Sequence, residues 1–508
     1  MKKIILVVSL LILFLLVFFY NQNNKDVVFK SEFLDTQQQE FLPSSFMISG
    51  DMEVLTPPFN PKINRYLINS NKYNEEFNFN FSVGENYKIL SETNLKVKNN
   101  KFEEYVVEIV EINTNKKYYF SIVTTNEYFP NYEIEIINVN NVLDGNIYTT
   151  FKNFRNYTFL EAVSLIDEFS FSEFQNWFQR RKNKPQGPVF EQTQKYIKNK
   201  NAKSNALILD KFGVPLVVIQ GNSSFADFKY FNGIGYVLGV YGVPPAGGVL
   251  VGKYKVYDED FNNISEILWS NGGYLDVHDL DYDIYSKNIL KIGYSQYIPG
   301  VSTITETIWS SSYIVENSGV TINQWDAFLS FPLGYSQDTF IDTQNWDVFH
   351  INSARIYGDN ILVSLRHTNS ISLIDNEGNE IWSIANNNKI NDFEIYEDPF
   401  GIFYGQHDAR IVDGNYLTLF DNQNNQGKVA RGVVYLLDSD LKTATFQKHY
   451  LLEDEALCCG SFQLLENGSV LSGGSDGTIF EFHNSSDSAN LKIEIGGIVY
   501  RAIKQKDS

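Results

Sequence analysis

Cysteine is almost absent from this 508-residue chain. The two that occur are neighbours, Cys458 and Cys459, so no disulfide framework holds the fold. Adjacent Cα atoms sit ~3.8 Å apart, short of the span of about 4.4 Å or more that disulfides favour. The pair is therefore expected as two buried thiols rather than a vicinal disulfide. Basic charge is also scarce: 41 Lys and Arg face 61 Asp and Glu, a net charge of -20, which excludes nucleic acid as the partner. A Gly-x-Ser-x-Gly string occurs once, at Gly473-Gly474-Ser475-Asp476-Gly477, but inside the strand-rich repeat and with no helix pattern after it, so it does not read as the strand-to-helix elbow of an α/β-hydrolase. No Walker glycine-rich loop occurs, so a nucleotide phosphate donor has no cradle. Histidine is rare, with six in the whole chain.

Long apolar runs are missing except at the start. Lys2 and Lys3 precede an apolar stretch of 17 residues, Ile4 to Tyr20, interrupted only by Ser9, at the lower limit of the roughly 17–25 that span a bilayer. Asn21-Gln22-Asn23-Asn24-Lys25 follows, without the small residues of a cleavage site. Residues 1–25 are thus expected to be an uncleaved membrane anchor. The two lysines place the N-terminus in the cytoplasm and the rest outside it, at the periplasm or cell surface. Residues 26–45 read as a polar tether.

What is abundant favours strands. Aromatics make up 15% of the chain, and Ile, Val and Asn are plentiful, which suits pleated elements joined by polar turns. Residues 46–155 alternate in the manner of Glu104-Tyr105-Val106-Val107-Glu108-Ile109-Val110, and predict a small β-sandwich. Residues 156–204 read as a helical insertion. Ser170-Phe171-Ser172-Glu173 forms a capping box there, and the basic run around Arg180 and Arg181 reads as a solvated helix end or a lipid-headgroup contact.

From 205 to 508 the chain repeats. One unit is an apolar strand ending in Asp before a turn, at Asp210, Asp258, Asp375 and Asp438. The other is a polar turn opening a strand, at Asn288, Asn360, Asn415 and Asn467. Spacings of about 50 to 70 residues predict an all-β fold, a six-bladed β-propeller.

Three of the six histidines share one place in that repeat. His278 and His350 each precede the Asn of their unit by ten residues and His407 by eight. Inner strands line a propeller's axis, so the register predicts three imidazoles converging from three blades on a solvent-reachable channel. Each has carboxylates beside it: Asp276 and Asp279, Asp347, and Asp408. One such carboxylate is placed to orient an imidazole and set its tautomer. Asn352 lies two residues past His350, on the same face by strand alternation. Arg366 comes from the next strand, and Arg410 follows His407. Imidazoles, an amide and a guanidinium suit an anionic tetrahedral group that one neutral His attacks. A three-His zinc site is the competing reading, because zinc takes three His and a water. A propeller that only binds an anionic ligand or a protein partner is the third. No metal and no cofactor are expected.

Asp347-Val348-Phe349-His350-Ile351-Asn352-Ser353, Leu362-Val363-Ser364-Leu365-Arg366, Gln406-His407-Asp408-Ala409-Arg410 and Leu419-Phe420-Asp421-Asn422, in that order, resemble the arylsulfate sulfotransferase family. Tyr274-Leu275-Asp276-Val277-His278-Asp279 is similar to an earlier motif of it, and Gly460-Ser461-Phe462-Gln463 and Val499-Tyr500-Arg501-Ala502 to its closing segments. Gln423 stands where the family has glycine. The resemblance implies a six-bladed propeller behind a β-sandwich. It further implies an extracytoplasmic enzyme that moves sulfuryl from an aryl sulfate to a phenol without a nucleotide donor. The implied route is ping-pong, with His407 as the sulfated nucleophile. His278, His350, Asn352 and Arg366 would hold the sulfuryl oxygens or handle the phenolic proton. The oligomeric state is left open, a homodimer included.

Overall fold

The computed structural model describes residues 26–34, 41–152, 199, 201–242, 249–270, 272–297, 307–331, 345–386, 391–423, 426–456, 458–474, 476–484 and 486–505. The expected anchor lies outside them, as does almost all of the expected helical insertion. Among the described residues no helix is long and apolar enough to cross a membrane.

The two repeated sequence units turn out to be two different hairpin turns. In the first, an Asp closes one strand and its carboxylate accepts backbone N–H groups beyond it. Asp210 Oδ1 takes Phe212 and Val214, Asp258 Oδ1 takes Asp260 and Asn262, Asp375 Oδ1 takes Glu377 and Asn379, and Asp438 Oδ1 takes Asp440 and Leu441. These are side-chain-capped turns, and they join the third strand of a sheet to its fourth. The second unit joins the first strand to the second, as between Tyr274–Asp283 and Asn288–Tyr297.

Among the described residues these hairpins build six sheets of four or five strands. Sheet 1 ends on Ile498–Gln505, which pairs with Asn146–Lys152, so the C-terminal strand completes a sheet begun much earlier. The inner strands of sheets 2 to 6 are Ser224–Phe231, Tyr274–Asp283, Ile351–Tyr357, His407–Val412 and Ser461–Leu464. Each lies against the next, and Ile498–Gln505 lies against both Ser461–Leu464 and Ser224–Phe231. The arrangement is propeller-like. An inner strand has one edge without a ladder partner, and its buried N–H groups need acceptors. Neighbouring sheets supply them. Ser311 Oγ takes Ile351 N at 2.9 Å, Asp281 Oδ2 takes Ile356 N at 2.9 Å, Ser353 Oγ takes Ala409 N at 3.2 Å and Ser461 Oγ takes Ala502 N at 2.8 Å.

Residues 47–124 form two further sheets, one of three strands and one of five. Glu76–Ser82 alternates strictly, burying Phe77, Phe79 and Phe81 against Phe120 and Ile122 of the other sheet. Three strands depart from the expected boundaries. Val27–Lys30, expected in the tether, pairs with Pro215–Gly221. Tyr132–Ile136 and Asn146–Lys152, expected in the sandwich, pair with Ala489–Ile495 and with Ser204–Leu209. Their alternation satisfies either sheet, and only the long-range partner decides. Arg65 ties the two bodies: its guanidinium, 1% exposed, bonds Glu104 at 2.9 Å and Asp210 at 2.9 Å.

Candidate functional site

Each of the three in-register histidines sits at a bulge. The inner-strand register shifts between Leu275 and Leu280, between Ile351 and Ser353, and between His407 and Arg410. A bulge re-aims the side chain it carries. His350 lies just outside its strand at φ +56, and Asp408 adopts φ +52. Plain alternation therefore does not relate His350 to Asn352, contrary to the sequence expectation.

The bulges bring the imidazoles together. The His278 and His350 rings stand 5.1 Å apart edge-on, and His350 stacks on His367 at 4.5 Å. Arg366, His278 and His350 all act on His407 electrostatically. Asn352 reaches the same place by donating Nδ2–H to the carbonyl of Gln406 at 2.7 Å. Its Oδ1 is buried without a hydrogen-bond partner among the described residues. All five expected residues thus meet. They do not line an open channel, as the repeat register had suggested: the three imidazoles are only 3–4% exposed.

Neighbouring groups set each tautomer. His278 Nδ1 faces Asp276 Oδ1, which also accepts the His278 backbone N–H at 2.8 Å. His350 Nδ1 faces Asp347 Oδ2 at 2.5 Å. His407 Nδ1 faces the Asn422 Oδ1 at 2.8 Å and the Gly405 carbonyl at 3.1 Å, whereas its Nε2 accepts the Cys459 backbone N–H at 3.2 Å. Acceptors on one side and a donor on the other place the proton on Nδ1 and the lone pair on Nε2. The Asn422 amide is itself oriented, because its Nδ2 donates to the Cys459 carbonyl at 3.0 Å.

Asp279 and Asp408 do not orient imidazoles. They face a buried charge cluster that joins the inner strands. Asp279 accepts from Lys229 at 2.6 Å and from Arg501 and Arg355; Asp408 accepts from Arg355 at 3.2 Å and from Arg410 at 3.0 Å. Arg410, a sequence candidate for the site, belongs to this cluster. Burial alone would raise the Asp279 carboxyl, but Arg355, Arg501 and Lys229 hold it well below the usual range.

Four contributors escaped sequence reading. His367 stacks on His350, and Tyr500 donates its hydroxyl to the His278 carbonyl at 3.1 Å. Asn422 and Cys459 frame His407. Asn422 had a signal: it follows the second strand of its sheet, Tyr416–Asp421, as Arg366 follows Asn360–Leu365 in the sheet before. Tyr500 stood in a segment that carried the resemblance but without a role, and His367 and Cys459 had no signal, because their positions depend on which inner strands are neighbours.

Among the described residues, one group of three metal-capable side chains has ligand atoms within 4.8 Å of one another: Asp347, His350 and His367. Its carboxylate already accepts from His350 Nδ1 and from the His350 backbone N–H at 3.1 Å. That is the geometry of a carboxylate–imidazole pair. His278, His350 and His407 do not form such a group, which removes the motive for a three-His zinc reading.

Burial, reinforced by His278 and Arg366, pushes His350 well below the ordinary imidazole value. Burial and then Arg366 do the same to His407, and burial with His350 pushes His367 down to about 3. In the unfolded chain these rings take up protons near pH 6.5 (about). Their stabilising contribution is complete above that value and is lost as pH falls toward the folded values, by up to about 1.4 kcal/mol per pH unit for each ring. Asp347, raised by burial to about 6, acts in the opposite sense: its contribution is present below the ordinary carboxylate value and lost as pH rises through about 6. Asp476, likewise raised by burial to about 6, acts in the same sense as Asp347, and three rings outweigh the two carboxyls. The melting temperature is expected to drop steadily between pH 7 and pH 5 (roughly the window where unfolded imidazoles titrate), and a flat profile in thermal scans would contradict the neutral assignment.

The family model described as Arylsulfotransferase (ASST) matches residues 306–494. No curated protein matches the chain. Among solved structures, a 6-phosphogluconolactonase candidate from Bacteroides fragilis NCTC 9343 is similar at 11% identity and a TM-score of 0.35, covering 79% of this chain and 93% of that one. The WD40 beta propeller domain of Doa1 is similar at 12% identity and a TM-score of 0.29, over 55% and 86%. A functionally unknown protein from Desulfotomaculum acetoxidans DSM 771 is similar at 12% identity and 0.34, over 60% and 83%. Likenesses this low add nothing to the topology described above.

Proposed function

We propose, from the match of residues 306–494 to the arylsulfotransferase (ASST) family model, that this chain is an aryl sulfotransferase that carries the sulfuryl group on His407. That match supports aryl sulfotransferase activity in general. The finer reading rests on one observation: His407 presents Nε2 as a lone pair, its Nδ1–H held by Asn422 and Gly405, beside Arg366.

In the proposed first half-reaction, the Nε2 lone pair attacks the sulfur of an aryl sulfate. The sulfur–oxygen bond to the ring breaks, and the phenolate leaves. Arg366 offsets the negative charge on the sulfuryl oxygens. His278, backed by Asp276, is the proton carrier for the leaving oxygen. In the second half, a phenolic acceptor gives its proton to His278 or His350, and its oxygen attacks the sulfur. The Nε2–sulfur bond breaks, and the lone pair returns to His407. Asn352 has a different part from the one the resemblance implies. Its Nδ2 is committed to Gln406, so it steadies the backbone entering His407, and its Oδ1 is left to accept the phenol hydroxyl. No nucleotide, metal or other cofactor enters these steps.

We further read the six sheets as the blades of a closed propeller, and the N-terminal apolar run as an anchor that holds it outside the cytoplasm. Protease treatment of intact cells tests the latter.

The deciding experiment is mass spectrometry after brief exposure to an aryl sulfate without acceptor. A sulfuryl mass gain on the His407 peptide is expected, and its absence across a panel of donors would leave the mechanism unsupported. Arg366→Ala should lower kcat by roughly 10²–10³-fold, the usual cost of removing one charge-stabilising donor. Arg366→Lys should restore only part of it, because an ammonium lacks the guanidinium fork. Equal activity of the two variants would remove Arg366 from the chemistry.

A further inference from the structure

The two cysteines lie at His407. Cys458 is part-exposed and Cys459 buried, both are thiols, and their sulfurs stand 2.7 Å apart. The peptide group joining them carries the N–H that donates to His407 Nε2 at 3.2 Å, and the Cys459 carbonyl accepts from Asn422. Cys459 adopts φ +62, a region that non-glycine residues seldom enter and that recurs at functional sites. Gly460 follows at φ +102, where a Cβ would stand 2.4 Å from the Phe420 ring, so the turn has little room to relax by substitution.

We propose that Cys458 and Cys459 are a redox modification site that latches His407: the dithiol keeps the Cys459 N–H on the Nε2 lone pair, and oxidation to a vicinal disulfide withdraws it. The argument is geometric. A trans peptide holds adjacent Cα atoms at ~3.8 Å, and disulfides favour about 4.4 Å or more. That distance is fixed, so the eight-membered ring closes by changing the torsions within it, ψ of Cys458 and φ of Cys459 (+62 in the dithiol) among them, and those rotations turn the peptide group that bears the latch. The oxidant is a disulfide. The Cys458 thiolate, the more exposed of the pair, attacks it and forms a mixed disulfide while one thiol departs. The Cys459 thiolate then displaces the second thiol. Two protons and two electrons leave the pair and reduce the incoming disulfide to two thiols.

The consequence for catalysis rests on His407 as the nucleophile, but the test does not. The full chain is treated with oxidised glutathione or with dithiothreitol, and intact mass is recorded. Each form then reacts with diethyl pyrocarbonate, and carbethoxylation of the His407 peptide is timed. The oxidised protein should be two hydrogens lighter, with the link inside the Cys458-Cys459 peptide. Its His407 should react about fivefold faster, the size of one ordinary hydrogen bond released from the lone pair. Cys458→Ser, which keeps the backbone N–H, should show neither the mass loss nor the rate difference. A glutathione adduct that persists without ring closure, no reaction, or a His407 rate equal or slower after oxidation each overturns the latch. Sulfuryl transfer absent from a protein that still shows the rate difference would sink the proposed function alone.

Discussion

Replacing His407 with alanine is expected to remove sulfuryl transfer. The loss should be about a thousandfold or more in kcat, on the scale seen when a nucleophile that acts as part of a unit is deleted. The reason is local. Only His407 combines a lone pair on Nε2, a proton fixed on Nδ1 by two acceptors, and the nearby Arg366 charge. His278 and His350 are instead backed by carboxylates, which suits proton transfer. The measurement is steady-state turnover of an aryl sulfate with a phenolic acceptor, alongside the peptide mass shift. His407→Ala should lose both the turnover and the shift. Retention of both would move the nucleophile elsewhere. Loss of turnover with the shift still present on a neighbouring imidazole would mean that the sulfuryl group is carried there. The ring's loss leaves Asn422, the Gly405 carbonyl and the Cys459 N–H without it, so folding of the variant is checked by thermal scan, and His407→Gln, which keeps a polar side chain there, serves as the second variant.

Asp279→Ala is expected to act on stability rather than chemistry. Its carboxylate, fully buried, accepts from Lys229, Arg355 and Arg501, and from the backbone of Leu280 at 3.0 Å and Ala354 at 3.1 Å. Those partners come from the inner strands of four sheets. Removing one member of a buried ion cluster leaves the others uncompensated, which costs roughly 3–5 kcal/mol. Chemical denaturation should show a loss of that size, or a fall in soluble yield. Asp279→Asn keeps one acceptor oxygen at the strand edge but not the charge, and should recover part of the loss. A change under about 1 kcal/mol, the level of a surface substitution, would mean that the cluster is not what holds the inner strands together.

The juxtaposition of Asp279 and His278 shows how much of the site could be read in advance. One residue apart, they serve different purposes: the imidazole enters the site and the carboxylate joins sheets. The repeat register located both. It could not assign them, because a bulge between Leu275 and Leu280 breaks the alternation that would have given their faces. Asp408 was misjudged for the same reason, since it follows His407 within the bulge ending at Arg410. The strand boundaries at Val27–Lys30 and Tyr132–Ile136 failed differently. A short alternating segment accepts any sheet edge, and its partner lies hundreds of residues away.

The order of motifs by itself determined which residues are candidates for the site: His278, His350, Asn352, Arg366 and His407 each occupy a defined place in a repeated strand unit, and such places coincide wherever the units pack around a centre. The turn residues likewise determined the hairpins, because an Asp carboxylate caps its own turn without help from distant chain. Only the tertiary structure decided which nitrogen of His407 holds the proton, that Asn422, His367 and Tyr500 stand beside the imidazoles, and that Cys459 touches the reacting atom. Those facts depend on contacts between strands of different sheets, where burial restricts each polar group to the partners that packing brings to it, and local sequence does not set that choice.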